Sequence, residues 1–161
     1  MSGSFLALLA MLIVANGAPV IAARLLEPRF ALPVDLGRSL ADGQRIFGAS
    51  KTWRGLVAAL ASSAVAALLL GYSLQFGLIV GALAMAGDLM SSFIKRRRGM
   101  QPSSRFTGLD QLPESLLPAL YAVLTMQLPA WWILLLPGAF MALEIYLSKW
   151  LFKLKIRKRP Y

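Results

Sequence analysis

The sequence predicts an all-α integral membrane helical bundle of about five transmembrane helices, with the amino terminus outside and the carboxyl terminus in the cytoplasm. Three observations carry this. Of 161 residues, 58% are hydrophobic and 15% charged, too little polar surface to cover an ordinary water-soluble domain. Several apolar runs reach or approach the roughly 20 residues needed to cross about 30 Å of hydrocarbon. All 17 lysines and arginines lie in residues 24–54, in residues 95–105 and from Lys149 onward, and with five helices those three places share one side, the cytoplasmic one.

The first helix is expected near 5–23. Its apolar run Phe5 to Ile13 has no basic region ahead of it and continues into Asn16-Gly17-Ala18-Pro19, which reads as a retained helix and not a cleaved signal. Pro19 weakens helical bonding there, giving either a simple kink or an opened backbone cavity. Residues 24–54 form the longest loop, a cytoplasmic cap or binding loop punctuated by Pro28, Pro33, Gly37, Gly43 and Gly48. Helices near 55–71 and 74–94 follow, joined by a tight turn. A second cytoplasmic loop spans 95–113, and helices near 114–128 and 131–150 close the bundle through another tight turn. Residues 149–161 make a basic cytoplasmic tail suited to anionic lipid. Trp53, Trp131, Trp132 and Trp150 sit at helix boundaries and read as headgroup-level anchors. The whole, residues 1–161, is one membrane-embedded domain.

The formal net charge of +10 flanks apolar spans, which points to a membrane surface and a phosphorylated ligand and away from a nucleic-acid polymer. Cysteine and histidine are both absent. That excludes thiolate chemistry, imidazole bases and histidine-dependent metal sites, leaving carboxylates, cations and hydroxyls to do any chemistry.

Three constellations can do so. Gly87-Asp88-Leu89-Met90-Ser91-Ser92-Phe93-Ile94-Lys95-Arg96-Arg97 places an acid inside a membrane helix, with Asp88, a serine and Lys95 on one face. A buried ion pair is one reading; an acid at membrane depth more often marks a metal or ligand site. Asp110 and Glu114 lie four apart around Pro113, with Asp110 alternatively a helix cap. With Asp88 they offer hard oxygen ligands for magnesium, which takes its remaining ligands from water and phosphates. In Asp42-Gly43-Gln44-Arg45-Ile46-Phe47-Gly48-Ala49-Ser50-Lys51-Thr52-Trp53-Arg54-Gly55, cations and glycines converge on a helix start. Ser50 is the expected cap there, and Lys51, Thr52, Arg54 and free amides are phosphate donors. The glycine and lysine spacing is not that of a Walker A loop. Glu144, in the last span one turn before Ser148, either lines the same polar cavity or meets a neighbouring donor.

These motifs resemble the CDP-archaeol synthases, small relatives of the integral membrane phosphatidate cytidylyltransferases. The resemblance rests on Asn16 to Pro19, on Asp42 to Gly55, on Gly87-Asp88-Leu89 with Ser92 to Arg97, and on Leu109-Asp110-Gln111-Leu112, in that order. It implies a five-helix fold with a charged cavity facing the cytoplasm and magnesium-dependent transfer of a cytidylyl group from CTP, or a related nucleoside triphosphate, to a membrane lipid phosphate. With the reading of the residues above, it leads to the expectation of Asp88, Asp110 and Glu114 as metal ligands, with Asp88, Lys51 and Lys95 carrying the reaction. Asn16, Arg45, Lys51, Thr52, Ser92, Lys95 and Arg96 are then the nucleotide and phosphate contacts. Two departures stand out. Pro113 takes the place of an acid that the family carries three residues after its first aspartate, and Glu144 and Ser148 stand where archaeal members carry a histidine and an asparagine. The archaeal ether lipid is therefore one candidate substrate among several, and an oligomer is compatible with everything above. The rival reading is a non-enzymatic transporter or scaffold, against which stands the near absence of charge in the helices' outer halves.

Overall fold

The computed structural model describes residues 2–101, 106, 108 and 110–153, apart from the side chains of Ser2 and Leu151. The basic tail beyond Lys153 and most of the stretch from 102 to 109 lie outside the described residues. Five helices are present: α1 (Ser2–Leu25), α2 (Trp53–Leu69), α3 (Leu74–Arg97), α4 (Gln111–Met126) and α5 (Trp132–Lys153). Among the described residues there is no strand, only isolated bridges pairing Pro33 with Thr52 and Ser39 with Arg45. Number and order match the expectation, while α2 begins at Trp53 and not 55, α4 at Gln111 and not 114, and α3 runs on to Arg97 and not 94.

The earlier start of α2 corrects its expected cap. Thr52, extended at φ −120° and ψ 150°, is the N-cap and accepts from the Gly55 amide, so Ser50 stays in the preceding turn. Pro113 and Glu114 both fall in the first turn of α4, where proline's missing N–H costs no helical bond.

By length and composition α1, α3 and α5 can cross a membrane. With 17 and 16 residues, α2 and α4 are each about 25 Å long, roughly a turn short of the hydrocarbon. Each helix packs on its neighbours in sequence, and α1 alone touches all four others. Its Leu8, Met11, Leu12 and Ala15 are fully buried beside Val80, Ala84, Leu136 and Phe140. Small residues let α2 and α3 approach closely: a Cβ on Gly77 would lie 2.6 Å from the Ser63 carbonyl oxygen and 2.8 Å from Ala64 Cα, a backbone-to-backbone contact typical of membrane helices. The tryptophans divide. Trp53, Trp131 and Trp150 are exposed, but Trp132 is buried, its ring edge-on to Phe5 at 5.3 Å. It is a core residue because α1 crosses its helix there, and the expectation of an interfacial anchor fails for it.

Candidate active site

Antiparallel alternation brings the carboxyl ends of α1, α3 and α5 to the same end of the bundle as the amino ends of α2 and α4. Side-chain contacts tie them together there. Arg54, in the first turn of α2, donates to the carbonyls of Glu27 and Arg29 at 2.7 and 2.6 Å. Arg97 at the end of α3 pairs with Asp42 and donates to the carbonyls of Gln44 and Arg45 at 3.0 and 2.6 Å. Arg54 and Arg97 are therefore hooks that hold loop carbonyls to the helix ends.

The two short helices start below the rim. Gly55 in α2 is level with Pro19 of α1, since a Cβ added to it would sit 3.4 Å from Pro19 Cβ. Gly87 in α3 lies against the start of α4: a Cβ there would overlap the Pro113 carbonyl and the Glu114 amide. Gly87 is ten residues before Arg97, so the first turn of α4 lies about 15 Å inside the end of α3. The longer helices thus extend past the amino ends of the two short ones, whose helix dipoles point their positive ends toward this charged end of the bundle.

Chemistry-bearing side chains meet at this end. Lys51 Nζ lies 2.6 Å from both carboxylate oxygens of Asp88, the two side chains 24% and 23% exposed. Lys95 Nζ lies 2.6 Å from Asp110 Oδ1. Glu114 is buried, within electrostatic range of Asp88, Glu144, Lys51 and Asp110. Asp110 does not cap α4 with its side chain; its other oxygen accepts from the Phe106 amide at 2.9 Å. Gln111, also buried, accepts from Gly108 N at 2.9 Å and donates to Glu144 at 2.7 Å, so Glu144 belongs to the same polar cluster. Ser91 and Ser92 are buried on α3 between Asp88 and Lys95, Ser91 donating to the Asp88 carbonyl. Arg96 is 4% exposed; it donates to the Gln101 carbonyl at 2.7 Å and packs beside Gly48, with its Nε unpaired.

Other expected site residues sit differently. Arg45 pairs with Asp35 and keeps its side chain 31% exposed. Thr52 spends its hydroxyl on capping α2. Asn16 donates to the Leu12 carbonyl in its own helix at 3.0 Å, and α1 continues through Pro19 without a break, while Gly17 beside it faces open space.

The loop between α1 and α2 is ordered around a residue that the sequence did not single out. The Asp35 side chain is completely buried. It accepts from the amides of Gly37, Phe47 and Gly48 at 3.0, 3.2 and 2.9 Å, as well as from Arg45. Burial pushes its carboxyl upward, but Arg45 and the Gly48, Gly37 and Phe47 amides outweigh that and hold it well below the usual carboxylate range. Its one local signal in the sequence was Asp-Leu-Gly, the pattern of an Asx turn.

No three carboxylates among the described residues converge closely enough to cage a metal ion. The donor set is nonetheless hard oxygen, and Asp88 and Asp110 are held by ammonium groups, which a divalent cation and a polyphosphate can replace between them. That fits magnesium, which uses one or two carboxylates and completes its shell with water and phosphate oxygens.

Comparison with known proteins bears on this architecture. The chain matches the family model of the CarS-like CDP-archaeol synthases over residues 6–78 and 69–161. It is 38% identical to a CDP-archaeol synthase of Pyrococcus furiosus over 109 residues, which span 60% of each protein, less than two thirds of that relative. It is 34% identical to the CDP-archaeol synthase of Pyrobaculum aerophilum over 157 residues, 92% of each. A solved structure described as an intramembrane enzyme for archaeal membrane lipids biosynthesis superposes with a TM-score of 0.74 at 29% identity, covering 88% of this chain and 90% of that one. By fold, by motif order and by match over nearly its whole length, the chain belongs to the CDP-archaeol synthase family.

Proposed function

We propose that this chain converts a membrane lipid phosphate to a CDP-activated lipid, taking the cytidylyl group from CTP and releasing pyrophosphate. The observation that carries this reading is the meeting of Lys51 with Asp88 and of Lys95 with Asp110 around buried Glu114, beside the amino ends of two helices. A non-enzymatic scaffold has no need of such a cluster, and a transport path would need polar groups through the full membrane thickness. In this reading the charged end of the bundle faces the cytoplasm of the cell membrane, where CTP is available, with the carboxyl end of α5 inside.

A lipid phosphate monoester has a second pKa near 6, so most of it is doubly ionised at neutral pH and no general base is required. Its oxygen attacks the α-phosphorus of CTP in line, and the bond from that phosphorus to the α–β bridging oxygen breaks as pyrophosphate leaves. Asp88 and Asp110 would hold magnesium, its shell completed by water and phosphate oxygens, with the buried Glu114 carboxylate nearby as the third acid of this reading; when bound, the ion supplies charge neutralisation on the triphosphate. Lys51 and Lys95, freed from their carboxylates, turn to phosphate oxygens. Arg96, buried with an unpaired Nε, and Arg45, which has N–H groups beyond those used on Asp35, add positive charge. Ser92, Asn16 and the Thr52 backbone are the remaining contacts of this reading. The test is direct: detergent-purified protein with magnesium, labelled CTP or dCTP and a panel of lipid phosphates, ether-linked and ester-linked, should yield a nucleotide-linked lipid. Folded protein that gives none across the panel would return the scaffold reading.

A further inference from the structure

Lys51 has no helix to hold it. It lies in the last turn of the loop before α2, yet its ammonium straddles both oxygens of Asp88, about 14 Å inside the carboxyl end of α3. A long, flexible side chain reaches such a place reproducibly only if its backbone is fixed. Two sets of bonds fix it. The Lys51 carbonyl accepts from the Val34 amide at 2.8 Å, and Trp53 N donates to the Leu32 carbonyl at 3.0 Å. Next to Val34, the buried Asp35 carboxylate gathers the Phe47 and Gly48 amides and the Arg45 guanidinium, and Lys51 N closes the turn on the Gly48 carbonyl. Gly48 itself has φ +99°, a left-handed conformation that glycine takes at no steric cost and that lets the turn close. Adjacent amides plus a guanidinium are the usual receptor for a phosphate or other anion. Here the chain fills that receptor with its own carboxylate, so the amides and the Arg45 N–H groups engaged on Asp35 serve the loop.

We propose that Asp35 is a positioning residue: it touches no reacting group and acts by locking the Phe47–Lys51 turn so that the Lys51 ammonium is delivered to Asp88. The proposal depends on the function proposed above only for its catalytic consequence. The placement of Lys51 can be read without turnover.

The experiment measures amine reactivity at Lys51 and Lys95 in the full-length, detergent-purified protein, by reductive methylation and peptide mass spectrometry, for wild type, Asp35→Asn and Arg45→Gln. Lys95 is the internal control, because it reaches Asp110 from α3 and not from the loop. Asp35→Asn should raise Lys51 labelling about 10-fold, as local opening of the turn exposes the amine, and leave Lys95 within about twofold. Arg45→Gln, which keeps the carboxylate and its three amides, should raise Lys51 labelling less, and it carries the test should Asp35→Asn not fold. Unchanged Lys51 labelling in both folded variants, or Lys51 and Lys95 rising together, overturns the proposal. In the cytidylyl-transfer assay Asp35→Asn should lower kcat and add nothing in a Lys51→Ala background; additive losses count against it. A wild-type protein without transfer activity sinks the proposed reaction and leaves the labelling result standing.

Discussion

At the scale of single residues the most informative side chains are two aspartates with opposite roles. Asp88 is held by a lysine and partly open to water, so its replacement by asparagine removes a charge from the reacting zone with little loss of packing. Asp88→Asn should fold, bind detergent and melt normally, yet lose about 100-fold or more of its turnover, the scale on which removing one charged or hydrogen-bonding partner of a transition state acts. Full magnesium-dependent activity in that variant would end the assignment. Asp35 is the reverse case, structural and fully enclosed. Asp35→Asn should cost about 3 kcal/mol, since it leaves Arg45 and several amides short of a partner. The pH dependence follows from its depressed folded value. The carboxylate's contribution is complete above the unfolded value of about 4 and disappears as pH falls through the lower folded one. Melting curves of wild type and Asp35→Asn should therefore differ by a constant amount from pH 8 to about pH 5 and draw together below about pH 4. A gap that instead grows on acidification contradicts this.

Elements meet the site through glycine. Gly87 precedes the catalytic candidate Asp88, and its missing side chain lets the Pro113 carbonyl and the Glu114 amide press against α3. Gly87→Ala should push the start of α4 away, costing about 1–3 kcal/mol by overpacking and more activity than stability, because Glu114 and Asp110 move with the helix. Gly138, with nothing near the place of a Cβ, is the matched control: Gly138→Ala in the middle of α5 should be neutral or stabilising by about 0.5–1 kcal/mol. Comparable losses at both positions in thermal denaturation would mean that close approach at Gly87 is unimportant. The Gln111–Glu144 hydrogen bond couples α5 to the same helix start. Glu144→Gln keeps an acceptor for Gln111 and should retain most activity, whereas Glu144→Leu leaves Gln111 unsatisfied and should lose about 10-fold. If the two variants behave alike, the charge of Glu144 matters and not its hydrogen bond.

For the whole molecule, the open question is which way the bundle lies in its membrane. The absence of cysteine makes the chain its own background for single-cysteine accessibility. Cysteines placed at Tyr72 and Leu128, in the two tight turns, should react with an impermeant maleimide from outside intact cells, and one at Gln44 only after the membrane is opened. The reverse pattern would turn the proposed orientation over and put the charged cluster outside.

Sequence alone determined the five-helix layout, the gathering of charge at one end and the family. Apolar length, turn residues and the placement of lysine and arginine are each local properties, and motif order requires no coordinates. It also marked Asp88, Lys51, Lys95 and Asp110, because charge near an apolar span is conspicuous. What it left open were partners. That Lys51 goes to Asp88, that Arg97 holds the loop carbonyls of Gln44 and Arg45 and that Trp132 is core depends on residues far apart in the chain, while the Asp35 cradle and the Lys95–Asp110 pair depend on how their own loops fold. The pairings across helices follow from how closely the helices approach, and that closeness is helped by small residues such as Gly77 and Gly87, whose effect is invisible until their neighbours are in place.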